Sequence, residues 1–159
     1  MLRRDYLRGM AQQLLIQRED VLRFIPQREP IVMVHGLLAH SASASTAVFQ
    51  VEEGNLFVRD GKLLPSGLME HIAQSAAIRS GYAFTQMPAG EGPSKPPVGF
   101  IAALKDFEVH GLPAVGETLH TTVTEMNVIG NMTVIKGETY SGETLLASCE
   151  MKVFLSDKA

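Results

Sequence analysis

One stretch of this 159-residue chain, residues 66–84, has the pattern of a long helix, and everything beyond residue 97 reads as strand. In the helical stretch Leu68, Ile72 and Ala76 share one stripe, and Ala73, Ala77 and Ser80 share another. Four strands are predicted after it, at 98–109, 117–128, 132–140 and 144–154, with turns at Gly130-Asn131 and Ser141-Gly142. The last alternates most cleanly: Leu145, Ala147, Cys149, Met151 and Val153 face one side, Ser148, Glu150 and Lys152 the other. Such alternation belongs to a sheet with one buried and one wet face. Two further strands precede the helix, Ile31-Val32-Met33-Val34 and residues 46–51, where Ala47, Phe49 and Val51 form the apolar side. A chain with one long helix and about six strands buries both by laying the helix across one curved antiparallel sheet, an α+β arrangement.

The remaining segments are connections or accessories. Residues 55–62 read as loop, and 86–97, with four prolines and two glycines, as a flexible loop. Tyr6, Met10 and Leu14 suggest an N-terminal helix reaching Gln17, and Asp20 is placed to cap a short second helix over 21–25 that Pro26 stops. The expected organisation is a helical arm over residues 1–19 and a single domain over 20–159.

Composition narrows the function classes. Lys plus Arg number 14 against 17 Asp plus Glu, a net charge of −3, which offers no basic face for nucleic acid. One cysteine, Cys149, excludes an internal disulfide framework and a multi-cysteine metal site. No apolar run approaches the roughly 18 residues of a membrane span. Gln12, Gln13 and Gln17 break any signal-peptide core after Arg3, Arg4 and Arg8, so a soluble, cytoplasmic protein is expected.

The chemistry concentrates at the start of the helix. Pro65 breaks the incoming chain and Ser66 is placed to cap a helix that begins near Gly67. Gly67 leaves room for a ligand to reach the first-turn N–H groups, whose positive end of the helix dipole suits a carbonyl oxygen gaining charge. Glu70 lies one turn in, a carboxylate in an otherwise apolar, alanine-rich helix. Gln74, four residues on, shares its face and can orient it. Five histidines are present, and the spacing of His35 and His40 matches no metal pattern. No metal and no cofactor are expected.

Ile25-Pro26-Gln27-Arg28-Glu29-Pro30, Met33-Val34, residues 65–74 and Phe107 through Gly116-Glu117 resemble the β-hydroxyacyl-acyl-carrier-protein dehydratases of the hot-dog fold. Met69-Glu70-His71-Ile72-Ala73-Gln74 is similar to that family's apolar-Glu-Ala-Met-Ala-Gln stretch, which carries the catalytic acid. Ala114-Val115-Gly116-Glu117 stands where the family has Val-Pro-Gly-Asp. The resemblance spans residues 24–154 with all segments in order. It implies a hot-dog domain, Glu70 as the catalytic residue and a site including Ser66, Gly67, Gln74, Asn55 and His110. It further implies acyl carrier protein or acyl-CoA as partner, a role in fatty-acid or related acyl-chain metabolism, and a homodimer or higher oligomer in which strand 98–109 pairs with its symmetry mate. One departure is clear. The family's Gly-His-Phe-Pro-Gly loop is replaced by Asn55-Leu56-Phe57-Val58-Arg59-Asp60-Gly61, and no histidine lies between His40 and His71.

Dehydration needs a base for the α-proton and an acid for the departing hydroxyl. His71 points about 100° away from Glu70 on a helix and does not replace the lost group. Asn55, Arg59 and Asp60 are the nearest polar alternatives in the altered loop, and a histidine from a second chain is another. Three functions stay open: a 3-hydroxyacyl-thioester dehydratase (a lyase), a hot-dog thioesterase that needs only the carboxylate, and a non-catalytic acyl-thioester or acyl-carrier binding module.

Overall fold

The helix α1, Pro65–Thr85, begins where Leu64 holds an extended backbone and Pro65 occupies the first helical position. Proline is suited there because its missing N–H has no intrahelical partner to lose. Leu64, not Ser66, is therefore the cap residue, and Ser66 sits exposed inside the first turn. The computed structural model describes residues 13–156.

Around α1 the strands are β1 Gly36–His40, β2 Ala44–Gln50, β3 Val58–Arg59, β4 Lys62–Leu63, β5 Val98–Val109, β6 Thr118–Ile129, β7 Met132–Ser141 and β8 Thr144–Ser156. Six form one antiparallel sheet in the order β1-β2-β6-β7-β8-β5, while β3 and β4 make a separate two-stranded hairpin. The predicted late strands stand within two residues of their expected bounds. Ala47, Phe49 and Val51 are buried as the alternation required. At the start of β8 the register slips beside Tyr140, so Leu146 rather than Leu145 is buried ahead of Ala147, Cys149 and Met151.

Three expectations fail for identifiable reasons. Val32, Met33 and Val34 are buried, but residues 31–34 join no strand. The backbone groups of Ile31 and Met33 are taken by side chains of α1, and pairing begins only at Gly36 against Val48. The expected loop 55–62 contains the β3–β4 hairpin, turned by Asp60 and Gly61 at φ 51° and 74°. Positive φ at both central residues is the two-residue hairpin turn for which Asp-Gly is a strong sequence mark. The short second helix is a 3-10 segment, Arg18–Arg23, in which Asp20 pairs with Arg23 instead of capping. The arm helix predicted up to Gln17 lies mostly outside the described residues, and within them Ile16 bridges Leu37 in antiparallel fashion.

Which face of α1 is buried also differs from expectation. Leu68 and Ile72 are core, as expected, but the second buried stripe is Gly67, His71, Gln74, Ile78 and Gly81. Two clusters result. Leu68 and Ile72 pack with Met33, Phe49, Leu119, Val123 and Met151, whereas Ile78 packs with Ile16, Val21, Ile25, Val34 and Leu37. Gly137 on β7 admits Ile72, whose Cγ2 would clash with any side chain there. The stripe of Ala73, Ala77 and Ser80 instead lines a cavity. Among the described residues no helix is long and apolar enough to cross a membrane.

Candidate active site

Glu70 lies half-buried in the second turn of α1, and Gln74 lies fully buried one turn further. The Gln74 amide makes three hydrogen bonds, using both of its donors. Its Oε1 accepts from the Met33 N–H at 2.6 Å, and its Nε2 donates to the Ile31 carbonyl at 2.7 Å and to Glu70 Oε1 at 2.7 Å. An amide oxygen opposite a backbone donor cannot be exchanged with the nitrogen, so the Nε2 group is committed to Glu70. The i, i+4 partnership expected from spacing is present.

His71 turns the other way, as helix geometry required. It is fully buried, its ring lies 5.3 Å from that of Phe49, and its Nδ1 is 2.6 Å from the Met33 carbonyl. A carbonyl only accepts, so Nδ1 carries the proton. Burial pushes the imidazole down to about 4, outweighing the opposing effect of the Met33 bond, and the ring is neutral near pH 7. Asn55 converges on the same residue, with Nδ2 3.2 Å from the Met33 sulfur, while its Oδ1 accepts from the Phe57 N–H. Met33 thus ties together Gln74, His71 and Asn55.

Other candidates stand apart from this cluster. The space expected above Gly67 is filled by Phe57 and Leu63, and the Gly67 N–H donates to the Leu64 carbonyl at 2.9 Å. That glycine serves packing. Ser66 faces solvent. His110 follows β5 with its Nε2 3.6 Å from Glu108 and its N–H on the Leu146 carbonyl. Arg59 and Asp60 are exposed at the hairpin tip. Glu117 accepts from Ser141 at 2.6 Å and from the Ala114 N–H at 2.5 Å, two bonds that hold its carboxyl below the usual range and shape the turn before β6. The described residues contain no group of three or more His, Cys, Asp or Glu able to hold a metal.

A cavity of about 690 Å³ runs along α1 toward its C-terminus. Ala73, Ala77 and Ser80 form its helix wall, and Ile135, Met151 and Val153 belong to its sheet wall. Its first helix residue lies three positions beyond Glu70, close to the same face of α1. The channel is walled mainly by apolar groups, and Glu70 lies just before it on the helix without being one of its lining residues. Sequence reasoning missed Met33 and His71, although the 67, 71, 74, 78, 81 spacing marks a buried stripe.

One long helix packed on a six-stranded antiparallel sheet in this order makes the chain a hot-dog protein. It belongs to the ApeP-like family, whose model, described as ApeP dehydratase, matches residues 19–159. Among solved structures, a chain of the dehydratase heterocomplex ApeI:P from Xenorhabdus doucetiae is similar at 20% identity and TM-score 0.75, covering 87% of this chain and 91% of that one. An uncharacterised protein from Pyrococcus horikoshii is similar at 9% identity and TM-score 0.64, over 86% and 93% of the two chains. A putative thioesterase from Ralstonia eutropha, related to phenylacetic acid degradation, gives 12% identity and TM-score 0.57 over 74% and 82%. At these identities the likeness is one of fold. No curated protein sequence matches the chain.

Proposed function

We propose that the chain is a subunit of a 3-hydroxyacyl-thioester dehydratase, with Glu70 as its catalytic acid. The observation carrying this reading is the Gln74–Glu70 bond, which fixes a half-buried carboxylate three residues before the first cavity-lining residue of α1, Ala73. With Oε1 accepting from Gln74, a proton for delivery rides on Oε2. A base removes the α-proton of the substrate, Glu70 protonates the β-hydroxyl, the C–O bond breaks, and water leaves an α,β-unsaturated thioester. The thioester carrier is an acyl carrier protein or CoA, and the catalytic domain is residues 20–159 with 1–19 as an arm.

The base comes from a second subunit. None of the chain's five histidines is bonded to Glu70. His35 accepts from the Gln50 N–H, His40 holds Ser45, His71 holds Met33, and His110 faces Glu108. His120 is half-buried on β6. A second copy would bring only the same five. The Xenorhabdus relative is named as a heterocomplex, and we propose the same kind of assembly here, with another hot-dog chain docking along β5 and contributing the histidine. This replaces the homodimer as the favoured arrangement.

The thioesterase alternative uses the same carboxylate without a histidine. One assay separates them. With 3-hydroxyacyl thioesters of acyl carrier protein and of CoA, dehydration raises enoyl-thioester absorbance without thiol release, and hydrolysis releases thiol. The chain assembled with its hot-dog partner is expected to do the first, and Glu70→Gln to abolish it. Thiol release, or an active Glu70→Gln variant, overturns the proposal.

A further inference from the structure

We infer that His71 is a positioning residue for Glu70, acting through the Met33 backbone and Gln74. This rests on the reading of Glu70 as the catalytic acid, but the relay itself is a property of four residues that can be tested without turnover.

Gln74 serves Glu70 only in one amide orientation. Two backbone groups fix this orientation, the Met33 N–H 2.6 Å from Oε1 and the Ile31 carbonyl 2.7 Å from Nε2. If the Met33 N–H moves away, Oε1 loses its donor and the amide keeps only the Ile31 carbonyl to hold it against rotation. The position of Met33 is therefore one of the two backbone supports of the Gln74–Glu70 bond. Met33 lies in a segment that belongs to no strand, so no ladder bond holds it. Its carbonyl is held instead by His71 Nδ1 at 2.6 Å. The two backbone groups of one residue are thus gripped by two side chains of α1 three positions apart.

The choice of histidine supports the same conclusion. His71 is fully buried beside Phe49, in surroundings that suit an apolar side chain. Its Nε2 is buried without a hydrogen-bond partner among the described residues. An apolar residue there would fill comparable space and leave no ring nitrogen unsatisfied. What the imidazole supplies, and an apolar residue does not, is the Nδ1–H donated to Met33.

The test compares His71→Leu, which removes the donor, with His71→Asn, whose Nδ2 falls near the position of Nδ1. The full chain is labelled with nitrogen-15, and the Gln74 side-chain amide protons are assigned by their loss in Gln74→Leu. The wild type is expected to show two well-separated Gln74 signals shielded from solvent exchange. In His71→Leu they should converge toward those of an exposed glutamine, and in His71→Asn they should return. In the dehydratase assay of the assembled enzyme, His71→Leu should lower kcat by between about tenfold and a hundredfold, with KM changed less than threefold. His71→Asn should recover most of that loss. If His71→Leu does not fold, His71→Gln serves, since its donor lies at the wrong distance from Met33. Unchanged Gln74 signals in the Leu or Gln variant overturn the relay, as does equal impairment by Asn and Leu. An active Glu70→Gln enzyme overturns the catalytic reading instead, and the amide signals still decide whether His71 controls Gln74.

Discussion

Ile72 of α1 lies over Gly137 of β7 so closely that a β-carbon at 137 would clash with its Cγ2. The helix meets the sheet there without an intervening side chain. Gly137→Ala is expected to force the two elements apart and destabilise the fold by about 1–3 kcal/mol, the usual range for overpacking. Chemical denaturation of the variant checks this, and an unchanged midpoint would show that the contact yields easily.

Glu70 should be dispensable for folding. Glu70→Gln keeps an oxygen to accept from Gln74, so its stability should change by about 1 kcal/mol or less. Thermal unfolding provides that measurement alongside the activity assay. A large loss of stability would mark the carboxylate as a structural anchor.

Acid should weaken the fold well above the pH at which carboxylates titrate. His71 is about 4 in the folded chain against 6.5 when unfolded, because burial disfavours its charged form, and burial lowers His35 to about 4 as well. Between these values the unfolded chain binds more protons, so stability rises with pH. The contribution is complete above about 6.5, falls as the pH drops, and stops changing below about 4. For His71 alone the span is on the order of 3 kcal/mol. Urea unfolding from pH 7.5 to 4 should show this slope, and His71→Leu should flatten it. Equal slopes in the two proteins would refute the assignment.

The outer strand β5 presents exposed Phe100 and Ile101 along a free sheet edge. Lysines on an edge discourage strand pairing. The double change Phe100→Lys and Ile101→Lys is expected to reduce association with a second subunit, seen as a lower sedimentation coefficient at micromolar concentration. Association at wild-type strength would move the interface elsewhere.

How far these features could be read from sequence depended on the range of the forces that set them. Strands β6, β7 and β8 alternate over part of their length because one face of the sheet is buried and the other wet, a pattern written residue by residue. Glu70 and Gln74 were legible for a similar reason, being one helical turn apart. Residues 31–34 misled because a buried extended run has the composition of a strand whether or not its backbone pairs with one. Their partners, His71 and Gln74, lie about forty residues away, and no local pattern announces them. The Asp60-Gly61 turn was legible in principle, but its strands are two residues each and too short to show a period.

At the opposite edge of the sheet, the chain covers itself. Leu15 and Ile16 donate to the Leu37 carbonyl, and the Leu37 N–H returns a bond to Ile16, so the exposed side of β1 is already capped near its start. A sheet with two available edges can recruit neighbours at both ends without limit. With one end occupied from within, lateral growth has a single direction, and a partner capped in the same way stops it at two. Such a pair closes into a discrete particle rather than a fibre.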